Sequence, residues 1–91
     1  MKEPPEDIKI RMLYILHRGF VEIRNLAQPE NVKQIFDLSD VMEYIPKLLN
    51  DWEPENFEVI LSDLKKYEEK YKGRCYNYTD YIDKYDVPLK F

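Results

Sequence analysis

Apolar side chains recur at helical spacing along most of this chain, and prolines cut the repeat into segments. From about Glu6 to Ala27, the positions Ile8, Met12, Leu16, Gly19, Phe20, Ile23 and Ala27 follow one another by one, three or four residues, which predicts an amphipathic helix. A second set, Leu13, Ile15, Val21 and Leu26, widens the apolar surface beyond one stripe. Such a helix is expected at the centre of a bundle or paired with another subunit. Gly19 costs a helix about 1 kcal/mol relative to alanine, so it marks either a close helix crossing or a kink.

Gln28-Pro29 closes the first helix, because the residue before proline is pushed out of the helical region. The second helix is expected over about 30–45, with Val32, Ile35, Phe36, Ser39 and Met42 on its inward face. Leu38, Val41 and Ile45 extend that face, and Pro46 ends or kinks the helix. So short a connection makes the first two helices an antiparallel hairpin. Lys47 to Asn50 reads as an apolar turn. A third helix follows over about 54–72, with Phe57, Ile60, Leu61, Leu64, Tyr67 and Tyr71 as a regular stripe and Gly73 as its left-handed cap.

The tail admits two readings. Cys75, Asn77 and Thr79 alternate with Tyr76 and Tyr78 as in a strand, but no partner strand is evident, so a short helix over about 78–85 is favoured. The fold class expected is therefore all-α: a single domain, 1–91, built as a compact bundle of three main helices plus a short C-terminal helix.

Charge narrows the partners. With 14 basic and 18 acidic side chains the net charge is −4, which disfavours generic binding to nucleic acid or to an anionic membrane. It fits a protein partner, a basic one included. The N-terminal MKEPPED leads into a stretch interrupted by Arg11, His17 and Arg18, unlike a signal peptide or a membrane span. One cysteine excludes an internal disulfide. The cytoplasm is the expected compartment.

Chemical signatures are sparse. One histidine and one cysteine, His17 and Cys75, lack any orienting third group. Glu22 lies five residues beyond His17, not at the spacing of bundle metal sites, and the Asp80 to Asp83 region has no calcium-loop glycine. Two glycines cannot build a phosphate loop. No catalytic residue, cofactor, metal or small-molecule substrate is expected. The polar residues singled out are Glu22 and Arg24 on the first helix with Asp37 and Asp40 on the second, where an Arg24–Asp37 contact would fix the hairpin register.

The segments V-E-I-R-N-L-A, I-F-D-L-S-D-V and Y-I-P-K-L-L, spanning Val21 to Leu49, resemble a pattern in short uncharacterised bacterial helical proteins. The resemblance implies a bacterial or phage-borne helical protein and brings no activity with it. Tyrosine is abundant, with eight residues, five of them at Tyr71, Tyr76, Tyr78, Tyr81 and Tyr85. These rings either cover the open end of the bundle or form a partner surface from Tyr76, Tyr78, Asp80, Tyr81, Asp83 and Tyr85. The function expected is a non-enzymatic interaction module, self-associating as a homodimer or binding a protein partner. The alternative is a small acidic inhibitor or immunity-type protein directed at a basic nuclease or toxin.

Overall fold

The computed structural model describes residues 3–78, and every regular element among them is helical. Helix α1 spans Glu6–Asn25, a 3-10 turn spans Pro29–Asn31, α2 spans Val32–Met42, α3 spans Tyr44–Asn50 and α4 spans Pro54–Lys70. The all-α architecture expected from the periodicity is the one observed. Of the C-terminal helix anticipated over 78–85, only Tyr78 is described, and it is not helical; the remainder lies outside the described residues.

Prolines and local charge set the helix ends. Pro5, extended at ψ 146°, precedes α1, and its carbonyl accepts the Lys9 N–H at 2.9 Å. Glu6 and Asp7 sit at the positive end of the α1 dipole and Arg24 at the negative end. Gln28 is extended before Pro29, as the ring of the following proline requires. Glu53 is likewise extended before Pro54, which occupies the first turn of α4 where its missing N–H leaves no bond unmade. Beyond α4, Gly73 takes φ 81°, the left-handed conformation expected of it, and the Arg74 N–H returns to the Tyr71 carbonyl at 2.8 Å.

Pro46 ends the second helix, as expected, but one turn upstream of itself: α2 stops at Met42, and Pro46 lies in the first turn of a separate helix, α3. The reason is backbone chemistry. Pro46 has no N–H to give to the Met42 carbonyl, so the chain breaks its helical bonding one turn earlier and restarts. Leu48, expected in an apolar turn, is thereby delivered to the core on a helix.

Helices α2 and α3 share the centre, each packing against the other three. The backbone of α1, the candidate for that place, lies against α2 and α3, and α1 reaches α4 through side chains. The hydrocarbon core gathers Met12 and Ile15 from α1, Leu38, Val41 and Met42 from α2, Ile45 and Leu48 from α3, and Phe57, Ile60 and Leu64 from α4. Trp52 stacks at a tilt on Phe57, 5.3 Å between ring centres, and so pins the α3–α4 connection. Gly19 is a close crossing. A Cβ built there would overlap the Met42 thioether and meet Met42 Cγ at 3.0 Å, so the bare Gly19 backbone makes room for the Met42 side chain of α2.

The buried face of α1 is rotated from the expected one. Met12, Ile15, Gly19 and Glu22 point inward, whereas Phe20 is 62% exposed. On α2 the inward positions are Gln34, Leu38, Val41 and Met42, while Val32 and Phe36 are 64% and 70% exposed. Both helices carry apolar residues on more than one side, and packing against α3 and α4 selects the side with the fuller run.

Candidate functional site

Glu22 sits one turn from the end of α1 on its buried stripe, and the chain spends three donors on it. The Tyr78 hydroxyl donates to Oε2 at 2.8 Å, the Tyr67 hydroxyl to the same oxygen at 3.0 Å, and the backbone N–H of Tyr76 to Oε1 at 2.6 Å. Gln34 closes the network from α2: its amide donates to the Tyr67 hydroxyl at 3.1 Å and to the Arg74 carbonyl at 2.9 Å. One carboxylate thus ties α1 to α4 and to residues 74–78. A buried carboxylate is costly unless its lone pairs are filled, and three donors fill most of them.

Tyrosine rings complete the junction. Tyr78 is fully buried, meeting Tyr67 and Tyr76 edge-on at 6.4 and 5.4 Å between ring centres. Arg18 lays its guanidinium over the Tyr76 ring at 4.2 Å, a cation–π contact, while its buried Nε has no hydrogen-bond partner among the described residues. Tyr14 and Tyr76 share a hydroxyl–hydroxyl bond of 3.1 Å. Burial together with the neighbouring Glu22 charge pushes the Tyr67 and Tyr78 phenols far above their ordinary range, so both remain donors.

A second polar contact stands beside the first. Asp37 on α2 accepts the Tyr71 hydroxyl at 2.6 Å and Lys70 Nζ at 2.9 Å. The Tyr71 bond, then the lysine, holds the Asp37 carboxyl below the usual carboxylate range.

These positions revise the polar set read from the sequence. Neither Glu22 nor Asp37 makes the α1–α2 contact of the register argument: Glu22 accepts from Tyr67, Tyr76 and Tyr78, and Asp37 accepts from Lys70 and Tyr71 instead of from Arg24, which is exposed. Asp40 is exposed on α2. Tyr78 is core and cannot belong to a partner surface, while Tyr76 is half-buried; both are bound to the Glu22 junction. The other members of that candidate surface, Asp80, Tyr81, Asp83 and Tyr85, lie outside the described residues. Gln34 and Tyr14 have no place in the sequence reading, and Tyr67 enters it only as a position of the inward stripe of α4, where it is indeed buried. The available signal was Glu22 itself, a carboxylate in phase with Met12, Ile15 and Gly19.

Cys75 is partly buried, and burial beside Glu22 and Glu68 pushes its thiol up to about 11, leaving it protonated and a poor nucleophile near neutrality. His17 is exposed on the outer side of α1. Among the described residues, no group of three or more His, Cys, Asp or Glu is placed to hold a metal ion, and no helix is long and apolar enough to cross a membrane. An open cleft of about 330 Å³ reaches Glu22 past Arg18, Asn25, Cys75 and Tyr76. The carboxylate already holds its own donors there, so the cleft meets a structural hub.

Two further surface features stand out. One is the set of exposed apolar side chains Phe20 on α1 and Val32 and Phe36 on α2. The other is an open groove of about 610 Å³ where α2, α3 and α4 meet, bordered by Asp40, Asp51, Glu53 and Asp63 with Tyr44 and Val59. No protein-family model, curated protein or solved structure matches the chain.

Proposed function

We propose that this protein is a non-enzymatic, cytoplasmic interaction module of bacterial type that docks another protein through the outward apolar side chains of α1 and α2. The observation that carries the reading is the exposure of Phe20, Val32 and Phe36, each more than 60% open to solvent on helices whose opposite sides fill the core. Single exposed aliphatic residues are ordinary. Two phenylalanines and a valine on one hairpin mark a surface that gains by being covered. The protonated thiol of Cys75 and the saturated Glu22 carboxylate favour binding over catalysis.

The test is a Val32→Ser/Phe36→Ser variant beside the parent chain. Both should melt alike, because neither side chain lies in the core, while the variant loses complexes recovered by cross-linking in cells of the source organism. Identical cross-linked species from both proteins would remove the reading.

A second reading, the acidic inhibitor of a basic nuclease or toxin, is favoured by the carboxylate-bordered groove. Four acidic side chains around Tyr44 and Val59 suit electrostatic steering onto an aromatic anchor. A purified basic partner whose association slows with salt, and whose complex is lost on Tyr44→Ala, would establish it. Salt-independent binding would exclude it.

A further inference from the structure

Helix α1 carries a second stripe opposite the buried one. At about 100° per residue, Glu6, Ile10, Leu13, His17, Phe20 and Arg24 fall within an arc of about 80°, roughly half a turn round from Met12, Ile15, Gly19 and Glu22. All six are exposed, with Ile10 and Leu13 each at 40% and Phe20 at 62%. The alternating steps of four and three are those of a coiled-coil seam.

The order of residues along this stripe is its own complement when reversed. About a midpoint at residue 15, Glu6 mirrors Arg24, Ile10 mirrors Phe20, and Leu13 mirrors His17. From this complementarity we infer that the outward stripe of α1 is a self-association surface, pairing antiparallel with α1 of a second copy about a two-fold axis. The inference rests on the interaction-module reading above and names its partner.

Four features favour that occupant. A two-fold contact repeats every pairing, so one register forms two Glu6–Arg24 contacts, two Ile10–Phe20 contacts and two Leu13–His17 contacts. The Ile10–Phe20 pairs and the Leu13 side chains, each beside a His17 ring, fall inside, and the charges cap both ends, as in an interface with a polar rim. Antiparallel alignment sets the acidic first turn of one helix beside the basic last turn of the other, and opposes the two helix dipoles. A parallel, in-register pair would stack Glu6 on Glu6 and Arg24 on Arg24, so the charges specify direction as well as contact. A single helix pair falls short of the roughly 800 Å² per partner of standard stable complexes, so the dimer is a weak one.

The experiment is sedimentation equilibrium of the whole chain in low salt, with a charge swap. The parent should show a reversible monomer–dimer equilibrium, with a dissociation constant on the order of 10–100 µM. Glu6→Arg and Arg24→Glu should each weaken it about tenfold, since each breaks two contacts. The double variant should restore it, because the swapped charges again meet their opposites. Phe20→Ser should abolish dimerisation with an unchanged melting curve. A parent chain that stays monomeric up to about 1 mM overturns the inference, as does a dimer indifferent to Phe20→Ser, or a double variant no tighter than the single ones. In each of those outcomes the cross-linking test on Val32 and Phe36 decides independently whether the broader reading survives.

Discussion

The molecule is held by two junctions of opposite chemistry. Where α2, α3 and α4 meet, Leu38, Val41, Ile45, Leu48, Phe57, Ile60 and Leu64 form a hydrocarbon interior. Where α1 approaches α4 and residues 74–78, the contact runs through Glu22, Gln34, Tyr67 and Tyr78. The first junction is non-directional, and its strength follows the area removed from water. The second depends on donors meeting acceptors at set positions and fails abruptly when one is missing. The apolar junction therefore gives cohesion, while the tyrosine junction fixes where α1 stands, and with it the direction in which Phe20 faces.

Truncation should expose that difference most sharply. Glu22→Ala leaves the Tyr78 hydroxyl and the Tyr76 N–H without their acceptor, and we expect a loss of about 4 kcal/mol in urea unfolding. Leu64→Ala, a fully buried site in the apolar junction, should cost about 3 kcal/mol. The sharper contrast lies in rescue. Adding Tyr78→Phe to Glu22→Leu removes an orphaned donor, so the pair should couple by about 1–2 kcal/mol in a double-mutant cycle. Strict additivity there would show that the carboxylate and the phenol act independently. A loss for Glu22→Ala smaller than about 1 kcal/mol would reduce the junction to decoration.

Tyr78→Phe alone should cost about 1–1.5 kcal/mol, and it carries a pH signature that no apolar substitution has. The Tyr67 and Tyr78 phenols are raised in the folded state by burial and by Glu22. Their contribution is therefore complete below the ordinary phenol range near pH 10, and it is lost as pH rises further, because the unfolded chain releases protons the folded one retains. The parent should lose stability steeply above about pH 10. Tyr78→Phe should flatten that alkaline limb, while Leu64→Ala should lower the whole curve in parallel. Equal slopes for all three proteins would contradict the raised phenols.

The two junctions were also unequally readable in the sequence. Prolines and periodicity placed α4 and the start of α1, since those signals act through local backbone sterics, and Gly73 was identified by its position just after a helix. Phase was harder. Ile10, Leu13 and Phe20 lie outside and Met12, Ile15 and Gly19 inside, so α1 is apolar on two sides and spacing alone cannot choose between them. The same ambiguity on α2 makes Phe36 an inward residue in expectation and leaves Gln34 without an assigned face. Only long-range partners settle it: Gln34 is buried because Tyr67 and Arg74 await it from some 33 and 40 residues away. Tyr78 looked like surface for the same reason, its acceptor being 56 residues distant on α1.

The smallest effect belongs to the contact that most resembles an ordinary surface ion pair, and it opposes the tyrosine junction in its pH dependence. Asp37 is held below the carboxylate range first by the Tyr71 hydroxyl and then by Lys70, whose side chain is half-exposed. A lowered folded value means that the unfolded chain takes up a proton first as pH falls. The Asp37 contribution is thus present above the ordinary carboxyl range near pH 4 and is lost below it, toward the folded value. Asp37→Asn should leave the alkaline limb untouched, shift the neutral-pH midpoint only slightly, and shallow the decline below about pH 4. Because the Tyr71 bond outranks the lysine, Lys70→Met should reproduce only part of that change and should remove most of its salt sensitivity. If Lys70→Met matches Asp37→Asn over the whole acid range, the contact is an ion pair alone, and α2 and α4 owe nothing to the tyrosine hydroxyl that distinguishes the neighbouring junction.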